Sequence, residues 1–322
     1  MKVIKHVASA LLIGGLAASG MAQAAFPEKP VTIVVPYPAG GATDVIARLI
    51  AQQLPAKWNQ PVVVRNQPGA GTTVAAEALT REKGDGYTLY MTTAAHTISA
   101  SLYKKLNYDP IKDFKPITLV STIPLVLVTT PSLKPNTLPE LIAAVKATKE
   151  GMTIASTGNG TPQHLTGELF KAKQNLDLVH IPYRGDAPMI TDLIGGQVQM
   201  AFVTLSAAVS NIQAGKLKPI ALAHNKRVDA IADVPTFAEA GMPGFEAATW
   251  FGLFAPASIP DELRQKIYQD VSEIVGTPEM TKKLVSMGGD VNNSSPEEFQ
   301  AFINKEAANW AEAVKISGAS VD

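Results

Sequence analysis

Small polar residues gather where predicted strands run into predicted helices. Residues 38–44 include Gly40, Gly41 and Thr43, and residues 156–161 contain three hydroxyls, one amide and two glycines. Glycine lets the backbone approach a ligand closely, and a helix N-terminus presents unpaired N–H groups and a partial positive charge. Neutral donors of this kind suit a small anion. The pattern therefore predicts a site for a small carboxylate.

Three further loops have a related composition. Residues 66–73 carry two glycines but lack the third glycine of a dinucleotide-binding loop and the lysine of a phosphate-binding loop. Residues 92–97 are small residues that directly follow a predicted strand. Within residues 183–188, Arg184 is placed either to pair with a second anionic group or to lie in solvent. Each loop also has an ordinary interpretation as a turn or as a capped helix start.

The residues needed for catalysis do not form a recognisable set. The chain has no cysteine and no Gly-x-Ser-x-Gly segment. His164 and Glu168 are one helical turn apart, which is a weak zinc pattern and is more typical of a local hydrogen bond. A Ser156–His164 pair has no recognisable third residue to orient the histidine. We therefore predict a protein that is not an enzyme and that has no metal and no cofactor.

The elements that position these loops follow a β-loop-α rhythm. The segments 31–35, 62–64 and 87–91 are rich in β-branched or aromatic residues and predict strands, and each precedes a loop and a helical pattern. Such alternation is typical of a parallel sheet covered by helices, in which ligands bind at the carboxyl ends of the strands. The fold class predicted is therefore α/β.

Two segments predict that the chain crosses between two lobes. Residues 117–130 form a long β-rich run interrupted by Pro124, and residues 250–255 form a second apolar run that can return the chain. The β-loop-α rhythm resumes between them. We predict a discontinuous first lobe, residues 25–123 and 247–322, and a second lobe, residues 124–246.

The N-terminal segment predicts export. Lys2 and Lys5 precede a short apolar stretch, and residues 22–24 match a small-x-small cleavage pattern, so residues 1–24 are expected to be a signal peptide rather than a membrane anchor. The whole chain has formal charge +0, and without the leader 26 basic residues face 28 acidic ones. This balance argues against nucleic acid as a partner. We expect a monomer located in the periplasm.

Several separated signatures resemble those of the Bug-type receptors, the extracytoplasmic substrate-binding components of tripartite tricarboxylate transporters. The resemblance covers residues 26–322. It rests on residues 26–30 (FPEKP), 38–44 (PAGGATD), 66–71 (NQPGAG), 85–89 (DGYTL), 102–106 (LYKKL) with 108–110 (YDP), 158–160 (GNG) with 164–165 (HL) and 168–170 (ELF), 182–185 (PYRG) with 193–198 (LIGGQV), and 233–236 (DVPT).

The resemblance implies a two-domain periplasmic-binding-protein fold of the Venus flytrap type, with two crossing segments. It also implies a di- or tricarboxylate, an acidic amino acid or an aromatic carboxylate as ligand, and membrane permease subunits as partners. A sensor role beside a membrane histidine kinase and a periplasmic hydrolase stay open as alternatives. The candidate ligand-binding residues are Tyr37, Ala39, Gly40, Gly41, Thr43, Asp44, Thr93, Ala94, His96, Ser156, Thr157, Asn159, Gly160, Thr161, His164, Arg184 and Thr204.

One departure from the family pattern bears on the ligand. Family members commonly carry an aspartate in the stretch that matches residues 202–205, where this chain has Val203 and Thr204. Loss of that acid removes a partner for an ammonium group. The departure therefore favours a ligand without an α-amino group.

Overall fold

The computed structural model describes residues 26–148 and 151–321, and the predicted signal peptide lies outside the described residues. Ten strands and eleven α-helices alternate along these ranges. The strands are β1 (Val31–Val35), β2 (Val62–Asn66), β3 (Thr88–Thr93), β4 (Phe114–Thr129), β5 (Met152–Ser156), β6 (Leu178–Pro182), β7 (Met200–Thr204), β8 (Lys218–Leu222), β9 (Ala248–Pro256) and β10 (Asp290–Val291). The helices are α1 (Ala42–Gln53), α2 (Pro55–Trp58), α3 (Thr73–Thr80), α4 (Ala95–Leu102), α5 (Leu138–Ala147), α6 (Pro162–Gln174), α7 (Asp186–Ile194), α8 (Leu205–Gln213), α9 (Asp261–Val275), α10 (Pro278–Ser286) and α11 (Pro296–Ser317).

A first group of strands pairs in the order β2-β1-β3-β9-β4, with the short β10 also on β4. Strand β1 is parallel to β2 and β3, whereas β9 is antiparallel to both β3 and β4. The sequence of β1 is VTIVV, and four of its five residues are buried. Near-continuous burial of β-branched residues is what a strand covered on both faces requires.

A second group contains the end of β4 with β5, β6, β7 and β8. Strand β5 is parallel to β6 and β7, and β4 is antiparallel to β7 and β8. The core of this part includes the ring cluster of Phe170, Phe202, Phe237 and Phe245, with centroid separations of 4.6 to 6.2 Å. Full burial of such a side chain contributes about 1.5–3 kcal/mol.

Strand β4 belongs to both groups. Its residues from Phe114 to Pro124 pair with β9, and those from Leu125 to Thr129 pair with β7 and β8. The chain returns through Ala247, whose carbonyl accepts a hydrogen bond from Leu125, and enters β9. The α/β fold with two crossing segments is thus confirmed. The lobe boundaries at residues 123/124 and 246/247 stay a prediction.

The C-terminal helix packs against helices of both groups and directly against β4. Helix α11 begins with a capping box in which Ser295 and Glu298 exchange hydrogen bonds, and it packs against α4 and α6. In residues 26–148 and 151–321 no helix is both long enough and apolar enough to cross a bilayer.

Candidate ligand-binding site

A cavity lies between loops that follow strands of the two groups. Its empty space amounts to about 470 Å³, including the open mouth. The first group supplies the loop after β1 and the end of β3, and the second supplies the loops after β5, β6 and β7. The lining residues are Tyr37, Pro38, Ala39, Gly41, Ala42, Thr43, Thr93, Thr157, Gln163, Arg184, Gly185, Asp186, Ala187, Pro188, Thr204, Thr249 and Phe251.

Three helices start at this cavity without a side-chain cap. Gly41, Gly185 and Thr204 are the N-cap residues of α1, α7 and α8, all three line the cavity, and none makes a capping hydrogen bond with its side chain. The first N–H groups of a helix have no partner within the helix, and the helix dipole adds positive potential there. Because the three helix N-termini meet at one cavity, their N–H groups and dipoles provide a binding place for an anion that does not depend on a charged side chain.

Hydroxyl groups of two neighbouring strand ends are joined at the cavity wall. The Tyr37 hydroxyl lies 2.7 Å from Thr93 Oγ1, and both residues line the cavity. Burial is the main cause that raises the pKa of Tyr37, so the phenol stays neutral and supplies a polar but uncharged surface.

Asp44 holds the first loop rather than facing the cavity. Its carboxylate accepts hydrogen bonds from Gly40 N (3.0 Å), Arg48 Nε (2.9 Å) and Asn66 Nδ2 (2.9 Å). Burial alone raises its pKa, but these three donors outweigh burial and hold the pKa below its usual value. Gly40 has φ +91°, a backbone conformation that favours glycine. Asp44 and Gly40 therefore shape the loop, and neither lines the cavity.

Gln163 connects two strand ends across the cavity wall. Its amide oxygen accepts a hydrogen bond from Thr157 Oγ1 (3.1 Å), and its amide nitrogen donates to Thr204 Oγ1 (2.9 Å). All three side chains are buried. Gln163 was not among the ligand-binding residues predicted from the sequence. The available signal was its position in the first turn of a helix that follows a glycine-rich loop.

The polar side chains of the loop after β5 are mostly occupied by the loop itself. Thr161 Oγ1 caps α6 by accepting from His164 N (3.3 Å), and His164 Nδ1 accepts from Gly160 N (3.2 Å). Ser156 Oγ lies 2.7 Å from His180 Nε2. Ser156 is fully buried and is not among the residues that line the cavity.

The two histidines near this loop stack on each other. The ring centroids of His164 and His180 are 4.1 Å apart at an interplanar angle of 24°. Burial lowers the pKa of each to about 4, and in His180 the neighbouring His164 contributes further. Among the described residues no group of three or more potential metal ligands occurs, and the His164 ring already accepts a backbone hydrogen bond.

His96 lies in the core, in contrast to its predicted position at the ligand. Its ring packs against Phe114 and Phe254 at centroid distances of 4.5 and 5.0 Å, and it has no exposed surface. Burial lowers the pKa of His96 to about 4. Ala94, the residue before α4, is fully buried in the same hydrophobic cluster as Phe114 and Phe254.

The structure brings about half of the predicted residues together. Those that line the cavity are Tyr37, Ala39, Gly41, Thr43, Thr93, Thr157, Arg184 and Thr204. Asn159 and Thr161 line an adjoining groove that shares Tyr37, Thr157 and Arg184 with the cavity. The predicted residues that line neither are Gly40, Asp44, Ala94, His96, Ser156, Gly160 and His164.

Asp186 is the acidic residue that lines this cavity, and it was not among the ligand-binding residues predicted from the sequence. It is the first residue of α7, and its Oδ1 is buried without a hydrogen-bond partner among the described residues. Burial raises the pKa of its carboxyl group to about 6. Its position after a glycine at a strand end was the available signal.

Two groups of strands, two crossing segments and a polar cavity between them define a periplasmic-type solute-binding protein. A family model described as "Tripartite tricarboxylate transporter family receptor" matches residues 46–318. The chain belongs to this receptor family, as its Bug-type signatures predicted.

Individual relatives agree over nearly the whole length. The protein BugT of Bordetella pertussis is 33% identical over 298 residues, which cover 92% of this chain and 91% of BugT. A structure from R. palustris solved with adipate has a TM-score of 0.88 and 33% identity, covering 92% of this chain and 99% of that one. MatC from Rhodopseudomonas palustris, solved with bound malate, has a TM-score of 0.86 and 31% identity, covering 90% and 100% of the respective chains.

Proposed function

We propose that this protein captures a small carboxylate in the cavity between its lobes and delivers it to the permease subunits of a tripartite transporter. The observation that carries the proposal is the meeting of three uncapped helix N-termini, at Gly41, Gly185 and Thr204, in one cavity. Support comes from the family and from the relatives that hold adipate and malate. In this role the chain performs no chemistry on its ligand.

Neutral donors hold the carboxylate in this proposal. Backbone N–H groups at the starts of α1, α7 and α8 donate to it, with the hydroxyls of Thr43, Thr93 and Thr204 at the same wall. Arg184 lines the cavity as well and meets a second anionic group. An affinity near micromolar, about −8 kcal/mol, fits such a site.

Closure of the two lobes on the ligand is the proposed mechanism. The lobes are residues 25–123 with 247–322 and residues 124–246, and they turn about the crossings at Pro124 and Ala247. The change of β4 from β9 to β7 and β8 at Pro124 supports this boundary. Hinge closure around a ligand is a common motion of two-lobe binding proteins. The closed monomer then docks on the permease.

A periplasmic location completes the proposal. Residues 1–24 direct export and are removed, so the working protein meets its ligand outside the inner membrane. Mass spectrometry of the protein purified from the periplasm tests this step, because it gives the mass of the processed N-terminus.

Thermal melting against a panel of small carboxylates tests the function. The panel contains succinate, adipate, malate, citrate, benzoate, aspartate and glutamate. A ligand at one hundred times its dissociation constant stabilises the folded protein by about 2.7 kcal/mol, which moves the midpoint by a few degrees. Recovery of the compound unchanged identifies a receptor. Absence of any shift, with no copurified small molecule in the mass spectrum, contradicts the proposal.

A hydrolase is the competing function, and one serine–histidine contact is the reason to test it. The Ser156–His180 distance of 2.7 Å is short enough for proton transfer between a serine and a base. Because Ser156 has no exposed surface, we expect no hydrolysis of p-nitrophenyl acetate above the buffer rate by the wild-type protein. If the wild-type protein does hydrolyse this ester, and the activity is lost in Ser156→Ala but kept in the control Ser206→Ala, the protein is a hydrolase.

A further inference from the structure

Asp186 places a carboxylate inside a cavity that otherwise suits anions. It begins α7 and faces the start of α1, since a Cβ atom built on Gly41 would lie 3.2 Å from Asp186 Oδ2. Its Oδ1 is buried and has no hydrogen-bond partner within residues 26–148 and 151–321. A buried, unpaired acceptor costs about 1–3 kcal/mol, and more when it is charged. A carboxylate that lines the cavity and has an unsatisfied oxygen is therefore a strong acceptor for a donor that enters the cavity.

No protein cation neutralises this carboxylate within the described part of the chain. Arg184 lines the same cavity two residues earlier, yet the ion pairs of the described residues include none between Arg184 and Asp186. The hydroxyl of Tyr37 is hydrogen-bonded to Thr93 Oγ1. The pKa of Tyr37 is raised mainly by burial and also by the negative charge of Asp186. The N-terminus of α7 offers only the partial charge of a helix dipole.

The carboxyl group of Asp186 is ionised at neutral pH. Burial raises its pKa to about 6, which is still below pH 7. A ligand carboxylate placed beside Asp186 then brings two like charges together. A ligand with an ammonium group brings a charge-assisted donor instead, about twice as strong as a neutral one.

We infer that Asp186 determines specificity by binding a cationic nitrogen, so that the ligand is an amino-carboxylate. This inference rests on the proposed receptor function and narrows its ligand class. The carboxylate of the ligand lies at the uncapped helix starts and its ammonium group lies beside the carboxylate of Asp186. The sequence comparison of residues 202–205 favoured a ligand without an amino group, but α7 supplies an acid to the same cavity from a different loop.

Matched pairs of acids test the inference by titration calorimetry of the purified protein at pH 7.5. The pairs are succinate with aspartate, glutarate with glutamate, and 3-phenylpropionate with phenylalanine, which differ only in the α-ammonium group. In at least one pair we expect the amino member to bind at least ten times more tightly. Asp186→Asn should lower its affinity at least ten-fold and remove the preference within that pair. Asp229→Asn, a change at an exposed aspartate, should leave both affinities within two-fold.

The outcomes separate the two proposals. Binding of one or more acids without preference for the amino member, or with preference for the plain acid, overturns the role of Asp186 and leaves the receptor function standing. A preference that Asp186→Asn does not alter also overturns it. Binding of no acid in any pair, together with a silent melting panel, rejects the receptor function itself. The wild-type comparison decides between these results even if the variant folds poorly.

Discussion

Gln163 Nε2 donates a hydrogen bond to Thr204 Oγ1 over 2.9 Å and so ties the start of α6 to the end of β7. The same amide group accepts from Thr157 Oγ1, which follows β5. Two neighbouring strands thus present their hydroxyls to the cavity in a defined orientation. Orientation matters because a neutral site binds an anion through aligned dipoles rather than through net charge.

Replacement of Gln163 by leucine should destabilise the protein. The variant Gln163→Leu leaves the buried hydroxyls of Thr157 and Thr204 without their partner, and such a loss costs about 1–3 kcal/mol. Urea unfolding measures this free energy. Gln265→Leu, at an exposed position of α9, is the matched control and should change it by less than about 0.5 kcal/mol. Equal effects of the two substitutions contradict the structural role of Gln163.

An added methyl group at Gly71 should hold the two lobes apart. A Cβ atom there would lie 2.3 Å from the backbone oxygen of Asn159 and 2.7 Å from the Tyr103 hydroxyl, so the loops that meet at the groove must separate. We expect Gly71→Ala to increase the radius of gyration measured by small-angle X-ray scattering. Gly215→Ala is the control, because Gly215 has a similar positive φ but no atom within 4 Å of the added Cβ. Indistinguishable radii for the two variants refute the prediction.

Stability should fall as the pH is lowered from about 6.5 to 4. The pKa of His96 is lowered to about 4 by burial, so in this window the unfolded chain takes up a proton that the folded chain does not. Each such proton lowers the free energy of unfolding by up to about 1.4 kcal/mol for each pH unit in this window. The lowered pKa values of His164 and His180 also make stability fall as the pH is lowered. The raised pKa of Asp186 has the opposite effect, because the folded chain takes up that proton before the unfolded chain does.

The variant His96→Phe isolates the contribution of His96. Urea unfolding at pH 7.0, 5.5 and 4.5 should give a smaller loss of free energy for the variant than for the wild-type protein. A ring without a titrating nitrogen also fits beside Phe114 and Phe254, which already contact His96. Identical pH dependence of the two proteins shows that His96 does not carry the effect.

The architecture could be predicted from local sequence patterns. A β-branched run such as that of β1 and the glycine-rich loops each depend on residues that are close in the chain, and so does the long run interrupted by Pro124. The predicted strand at residues 62–64 extends to Asn66 in the structure, and the one at residues 87–91 becomes Thr88–Thr93. Such shifts are small because hydrogen bonding to neighbouring strands sets the ends.

The sequence by itself determined the α/β class, the two crossings, the receptor family and the loops that meet at the cavity. Tertiary structure alone decided which side chains of those loops face the cavity. His96 and Ser156 turn into the interior, while Gln163 and Asp186 turn toward the cavity. The physical reason is that a loop residue's environment depends on elements distant in the chain. Asp186 lies beside Gly41 only because the fold brings the start of α7 next to the start of α1.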